Sequence, residues 1–162
     1  MRRKRRDTDA GDFSDPLKDY SAADYTDDLE RSLSEDEIKS LQITPFDTIS
    51  PETTVREAMQ RMAEIGVACY MVTEDKKLVG VFTERDVLDK VAARYDELVD
   101  GPVSAVMTTG VVVAYQTDFV AKAINYMAIG GFRHIPVLDV DDNVVGILGP
   151  RRVTAYLQEH FS

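Results

Sequence analysis

In the stretch GVFTERDVL, Gly80 to Leu88, a hydroxyl and a carboxylate stand three residues apart, Thr83 and Asp86. An ionised carboxylate only accepts hydrogen bonds, and its two oxygens can take both hydroxyls of a ribose. A helix N-terminus beside them favours a nearby phosphate. The same spacing also starts a helix with no ligand at all, as a threonine N-cap with a carboxylate three residues on, facing the positive end of the helix dipole. Near the C-terminus GILGPRRVT, Gly146 to Thr154, repeats the passage with Gly149 and Arg152 in those two places. Gly149-Pro150 begins a helix by another device, glycine at the cap and proline in the first turn. Helix starting therefore does not require Thr83 and Asp86. The remaining chemistry-bearing side chains are Arg133 and His134 in FRHIPV and Arg151 in GPRRV. Arginine stays charged and suits bidentate phosphate contact, whereas histidine at pH 7 is a weaker cation. Adjacent strand residues point to opposite faces, so one of Arg133 and His134 is expected to enter a cleft.

The elements that would position these residues occur twice. Shifted by 65 positions, TTVREAMQRMAEIGVACYMV lies over DFVAKAINYMAIGGFRHIPV. Val55, Ala58, Met59, Met62 and Ala63 then fall on Val120, Ala123, Ile124, Met127 and Ala128, one stripe of a helix in each copy. Thr53 and Asp118 align as expected N-caps, and Gly66 and Gly131 align as helix stops. Each copy continues with an apolar strand, a charged turn (Glu74 to Lys77, Asp139 to Asn143) and a second apolar strand. A helix then closes each copy, over about 84 to 97 and 150 to 160, and short apolar segments, 45 to 50 and 110 to 115, precede the first helices. Ser34-Glu-Asp-Glu37 reads as a capping box for a short lead-in helix, with Pro102 to Met107 in a comparable place before the second copy. Neither copy alone buries both its sheet face and its helix stripes, so the two are expected to pack together as one domain.

The chain has 162 residues, 44% of them apolar, with no run long enough to span a membrane. Its formal net charge of −10 argues against nucleic-acid binding by the protein as a whole. Residues 2 to 6 are all basic, whereas Asp7 to Glu37 holds twelve acids against Lys18 and Arg31. Residues 1–33 are accordingly expected to form a mobile acidic arm with a basic tip, a solvated tail rather than an RNA or lipid contact. The single cysteine, Cys69, lies in the apolar run VACYMV and is expected to be a buried thiol in a reducing cytoplasm. There is no Walker A loop, no dinucleotide-binding glycine pattern and no zinc-protease motif. His134 and His160 alone do not make a metal site.

With MTTG opening the second copy, FRHIPVLD in its middle and LVGVFTERDVL closing the first, the chain resembles a tandem pair of CBS domains, a Bateman module, over about residues 38 to 160. The resemblance implies an α+β (α/β) fold of two pseudo-symmetric β-α-β-β-α units packed sheet to sheet. The first unit with its lead-in helix would span 34–98 and the second 99–162. It further implies that Asp86 holds a ribose diol with help from Thr83, and that backbone at Gly110, Val111 and Val112 meets an adenine edge. Arg133, His134 and Arg151 would reach the phosphates, with Val81 and Pro136 among the lining residues. The pseudo-symmetric second site would offer Gly149, Arg152, Ala68 and Cys69, with no carboxylate, and Arg152 is expected to fill it. The expected ligand is an adenosine nucleotide, AMP, ADP or ATP, with no cofactor, no metal and no catalytic activity. A homodimer and an unidentified protein partner acting in trans are implied as well, and the acidic arm is expected to compete with phosphate for Arg133 and Arg151. The alternative is a ligand-free dimerising or docking scaffold, in which Thr83 and Asp86 are only a helix cap.

Overall fold

The computed structural model describes residues 28–160. Residues 1–27, most of the expected arm, lie outside the described residues. Each copy in the sequence forms a three-stranded sheet with helices on one face. In the first, β1 (Thr48–Ile49) runs parallel to β2 (Cys69–Glu74), which pairs antiparallel with β3 (Lys77–Thr83). In the second, β4 (Ala114–Tyr115), β5 (Ile135–Leu138) and β6 (Val144–Leu148) repeat that order and those senses.

The first helices, α2 (Val55–Ile65) and α5 (Val120–Gly130), follow the apolar stripes. Val55, Ala58 and Met62 are buried in α2, as are Val120 and Ala123 in α5, while Ala63 and Ala128, at the end of each stripe, are exposed. Both helices stop at a glycine in the left-handed conformation, Gly66 at φ 70° and Gly131 at φ 67°. The expected N-caps are displaced by one residue. Thr54, not Thr53, caps α2, its Oγ1 accepting from Glu57 N at 3.2 Å. The Asp118 carboxylate is engaged by Tyr115 N and Lys122 Nζ, both at 2.8 Å, so Phe119 takes the N-cap position of α5 with no side-chain cap bond.

After β3 the chain runs helically from α3 (Glu84–Asp86) through a π turn (Val87–Val91) and a 3₁₀ turn (Ala92–Arg94) into α4 (Tyr95–Leu98). The closing helix of the second copy, α6 (Pro150–His160), is regular. The expected box at Ser34–Glu37 does not form. Ser34 lies inside α1 (Asp28–Glu35), and Glu37, at the cap of a 3₁₀ turn (Ile38–Ser40), makes no side-chain cap bond. Residues 28–33, expected in the arm, are helical, and Leu33 packs against the second core.

Both connecting segments cross to the other unit. Ile38 and Leu41 are buried in the second core, and Ile147 N donates to Ile43 O at 3.0 Å. Reciprocally, Val103 and Val106 are buried in the first core, and Val81 exchanges two backbone bonds with Thr108, at 2.9 and 2.8 Å. This crossing explains the glycine that opens each repeated passage. A Cβ on Gly80 would lie 2.8 Å from Met107 Sδ and from Thr108 O, and one on Gly146 would lie 2.6 Å from Ile43 Cβ. Alternation along β2 splits its side chains between layers. Tyr70 and Val72 join the first core, and Cys69 and Met71 join a third cluster with Val81, packed by Val111, Val144 and Ile147 of the second copy. The sheets therefore pack face to face through that third cluster. Among the described residues no helix is long and apolar enough to cross a membrane.

Candidate functional site

The pseudo-symmetry of the sheets creates two related clefts. The first encloses about 360 Å³ and is lined by Val81, Thr83, Glu84, Arg85 and Asp86 of the first unit. The connecting segment adds Thr108, Gly110, Val111 and Val112, and Phe132, Arg133 and His134 enter from the second unit. Eight of the ten residues expected at the site thus meet around one space. Pro136 and Arg151 do not. Pro136 is buried in β5 opposite Ile147 and lines neither cleft. Arg151 sits in the first turn of α6 and lines the second cleft. A helix start faces the cleft of its own passage, so the helix-start arginine that lines the first cleft, beside Arg133, is Arg85, the counterpart of Arg151 in the repeat.

Thr83 and Asp86 form a complete capping box. Asp86 N donates to Thr83 Oγ1 at 3.2 Å, and Thr83 N donates to Asp86 Oδ2 at 2.9 Å. The Thr83 hydroxyl adds a bond to Oδ2 at 2.7 Å. Asp86 Oδ1 accepts from the Thr108 hydroxyl at 2.7 Å and from the Lys90 ammonium at 2.6 Å. Asp86 is only 4% exposed. Burial pushes its pKa up, but the bonds from Lys90, Thr108 and Thr83 outweigh burial and hold the carboxyl below its ordinary range. Lys90 Nζ also donates to Val106 O at 2.8 Å and to Thr108 Oγ1 at 3.0 Å.

His134 is half-buried and lines both clefts. Burial lowers its pKa, Glu84 opposes that and Arg133 adds to it, so at pH 7 the ring is neutral and offers a hydrogen bond rather than a charge. Arg133 and Arg85, both exposed, supply cations to the first cleft.

The second cleft, about 650 Å³, has Gly149 where the first has Thr83, and Ala68 and Cys69 on the wall where the first has Arg133 and His134. Arg152 lines this cleft without filling it, since about 650 Å³ stays open beside it. Its guanidinium donates to Ile147 O at 2.6 Å and to Pro45 O, and burial lowers its pKa. Cys69 is 7% exposed, and burial raises its thiol to about 12, so it holds its proton. Among the described residues no three acidic, histidine or cysteine side chains gather to hold a metal ion.

Sequence reasoning passed over Lys90, Arg85, Thr108 and Phe132. Lys90 stands four residues after Asp86, the spacing of a helical acid–base pair, and Arg85 follows from the repeat offset. Nothing local marks Phe132 or the Thr108 hydroxyl, which reach the cleft through the route of the chain.

The family model described as CBS domain matches twice, over residues 38–93 and 103–159. The CBS domain-containing protein YhcV of Bacillus subtilis is 33% identical over 113 residues, covering 68% of this chain and 78% of that protein. The CBS domain-containing protein CBSCBSPB5 of Arabidopsis thaliana is 35% identical over 112 residues, 68% of this chain, and the chain spans only 20% of its length. The solved CBS domain protein PAE2072 from Pyrobaculum aerophilum, complexed with AMP, superposes with a TM-score of 0.65 at 26% identity, covering 76% of this chain and 98% of that one.

Proposed function

This chain belongs to the CBS domain family, as a tandem pair, and from that premise we propose that it is a regulatory module binding an adenosine nucleotide in its first cleft. The ligand is AMP, ADP or ATP. The module is not an enzyme, and it works as a homodimer that signals to a protein partner in trans. One observation carries the reading: side chains and backbone from both units and from the segment between them line one space, the Asp86 carboxylate and the Arg133 guanidinium among them. Asp86 suits a ribose diol, the Gly110–Val112 backbone suits an adenine edge, and Arg133 suits phosphate. The AMP held by the Pyrobaculum relative supports the ligand class. Binding between the units favours whichever arrangement of them the ligand fits better, and that difference in affinity is the signal.

Thermal unfolding with a panel of AMP, ADP, ATP and S-adenosylmethionine tests the reading. A ligand at a hundred times its Kd adds about 2.7 kcal/mol, which raises Tm by about 5 to 10 °C in a chain of this size. The shift is expected with phosphorylated ligands and is expected to vanish in Asp86→Ala. A second reading is favoured by the completed capping box, whose carboxylate is fully bonded within the chain. In that case the module is a ligand-free scaffold, no ligand moves Tm, and Asp86→Ala only lowers stability.

A further inference from the structure

The carboxylate that the reading above assigns to a ribose diol has no acceptor position vacant. Its two oxygens provide about four places, and four donors fill them: Thr83 N, Thr83 Oγ1, Thr108 Oγ1 and Lys90 Nζ. A diol that donates two hydrogen bonds must remove two of these. Thr83 N is fixed by the backbone of the capping box. The threonine hydroxyls can rotate in place. Lys90 differs from all three, because its side chain is 40% exposed and can swing into water, where an ammonium is well solvated. It also lies within the π turn Val87–Val91, a wide turn of the kind that interrupts helices at functional positions.

Lys90 is tied to more than Asp86. The same ammonium holds Val106 O and Thr108 Oγ1, both in the segment that joins the units and leads into Gly110–Val112 of the cleft. It staples the helical path after β3 to the connection between the two halves.

We propose that Lys90 is the internal occupant of the ribose seat, and that a ligand's diol replaces it on Asp86 while one threonine hydroxyl rotates away, releasing the staple on Val106 and Thr108. The inference rests on the first cleft being a nucleotide site and adds how that site is held closed and how its filling is passed on. The closed seat opposes every ribosyl ligand, so the free protein binds more weakly than its cleft would allow. By linkage, whatever loosens the connecting segment strengthens ligand binding to the same extent.

The test is calorimetric titration of the full chain with adenosine, which has the diol but no phosphate to engage Arg133. Lys90→Met keeps the apolar stem and removes the charge. It is expected to bind adenosine about tenfold more tightly than the wild type, since the ligand no longer has to displace an ion pair. Raising salt from about 50 to about 500 mM screens the half-exposed pair, so wild-type affinity for adenosine is expected to rise and that of Lys90→Met to stay level. The salt series on the wild type stands even if the variant fails to fold. Equal or weaker binding by a folded Lys90→Met, or wild-type affinity that does not rise with salt, overturns the proposal and leaves the nucleotide reading intact. If adenosine and AMP bind neither protein, the nucleotide reading falls and this inference with it.

Discussion

Asp86 carries its charge at 4% exposure, and four donors rather than bulk water hold it there. Its folded pKa therefore lies below the unfolded value near 3.8. The stabilisation is fully present above that unfolded value and is lost as pH falls through the lower folded one. Urea unfolding between neutral and acid pH is expected to show this loss in the wild type, and the loss is expected to be missing from Asp86→Asn. At neutral pH that variant is expected to cost about 2 kcal/mol, because Lys90 and the two threonines keep donors without a charged acceptor. His134 has the same direction of shift for a different group. Its depressed folded pKa means that stability is complete above about 6.5 and declines as pH drops and the unfolded chain takes up the proton. His134→Gln is expected to remove that shallower decline, measured in the same titration.

Among the elements, the repeated glycines carry the clearest consequence. Gly80 and Gly146 leave room for the segments that cross from the opposite unit, and an added Cβ would meet a backbone oxygen at Thr108 or the Ile43 side chain at its root. Neither neighbour can swing aside as a long side chain would. Gly80→Ala and Gly146→Ala are each expected to destabilise by about 1–3 kcal/mol in chemical denaturation, while alanine at the exposed Gly66 meets nothing and is strained only by its φ of 70°. The helix stripes, glycine stops and paired sheets were legible because each follows from local periodicity. The crossing of the connecting segments was not, since Ile38, Leu41, Val103 and Val106 read as apolar residues whichever unit they serve. The expected cap of α5 failed for a similar reason: Asp118 had a competing donor in Tyr115 N, three residues back, which spacing alone does not reveal.

For the molecule as a whole, two pseudo-equivalent clefts have unequal chemistry. One is lined by a caged carboxylate and by Arg133, and in the other Arg152 bridges Ile147 O and Pro45 O. That lopsidedness was legible from Thr83 and Asp86 against Gly149 and Arg152. The side on which Arg151 stands was not, because the repeat gives each helix start a partner without saying which cleft the start faces. With Arg151 in the second cleft, the expected competition between the acidic arm and phosphate keeps only Arg133 of its two named arginines at the first, where Arg85 stands in the place assigned to Arg151. The measurement that tests the account most directly is the stoichiometry of AMP binding to the full chain, by titration calorimetry of the wild type, Asp86→Ala and Arg152→Ala. The account predicts one AMP per chain, abolished by Asp86→Ala and retained by Arg152→Ala. Two equivalent sites per chain, or one site that survives Asp86→Ala, would contradict it.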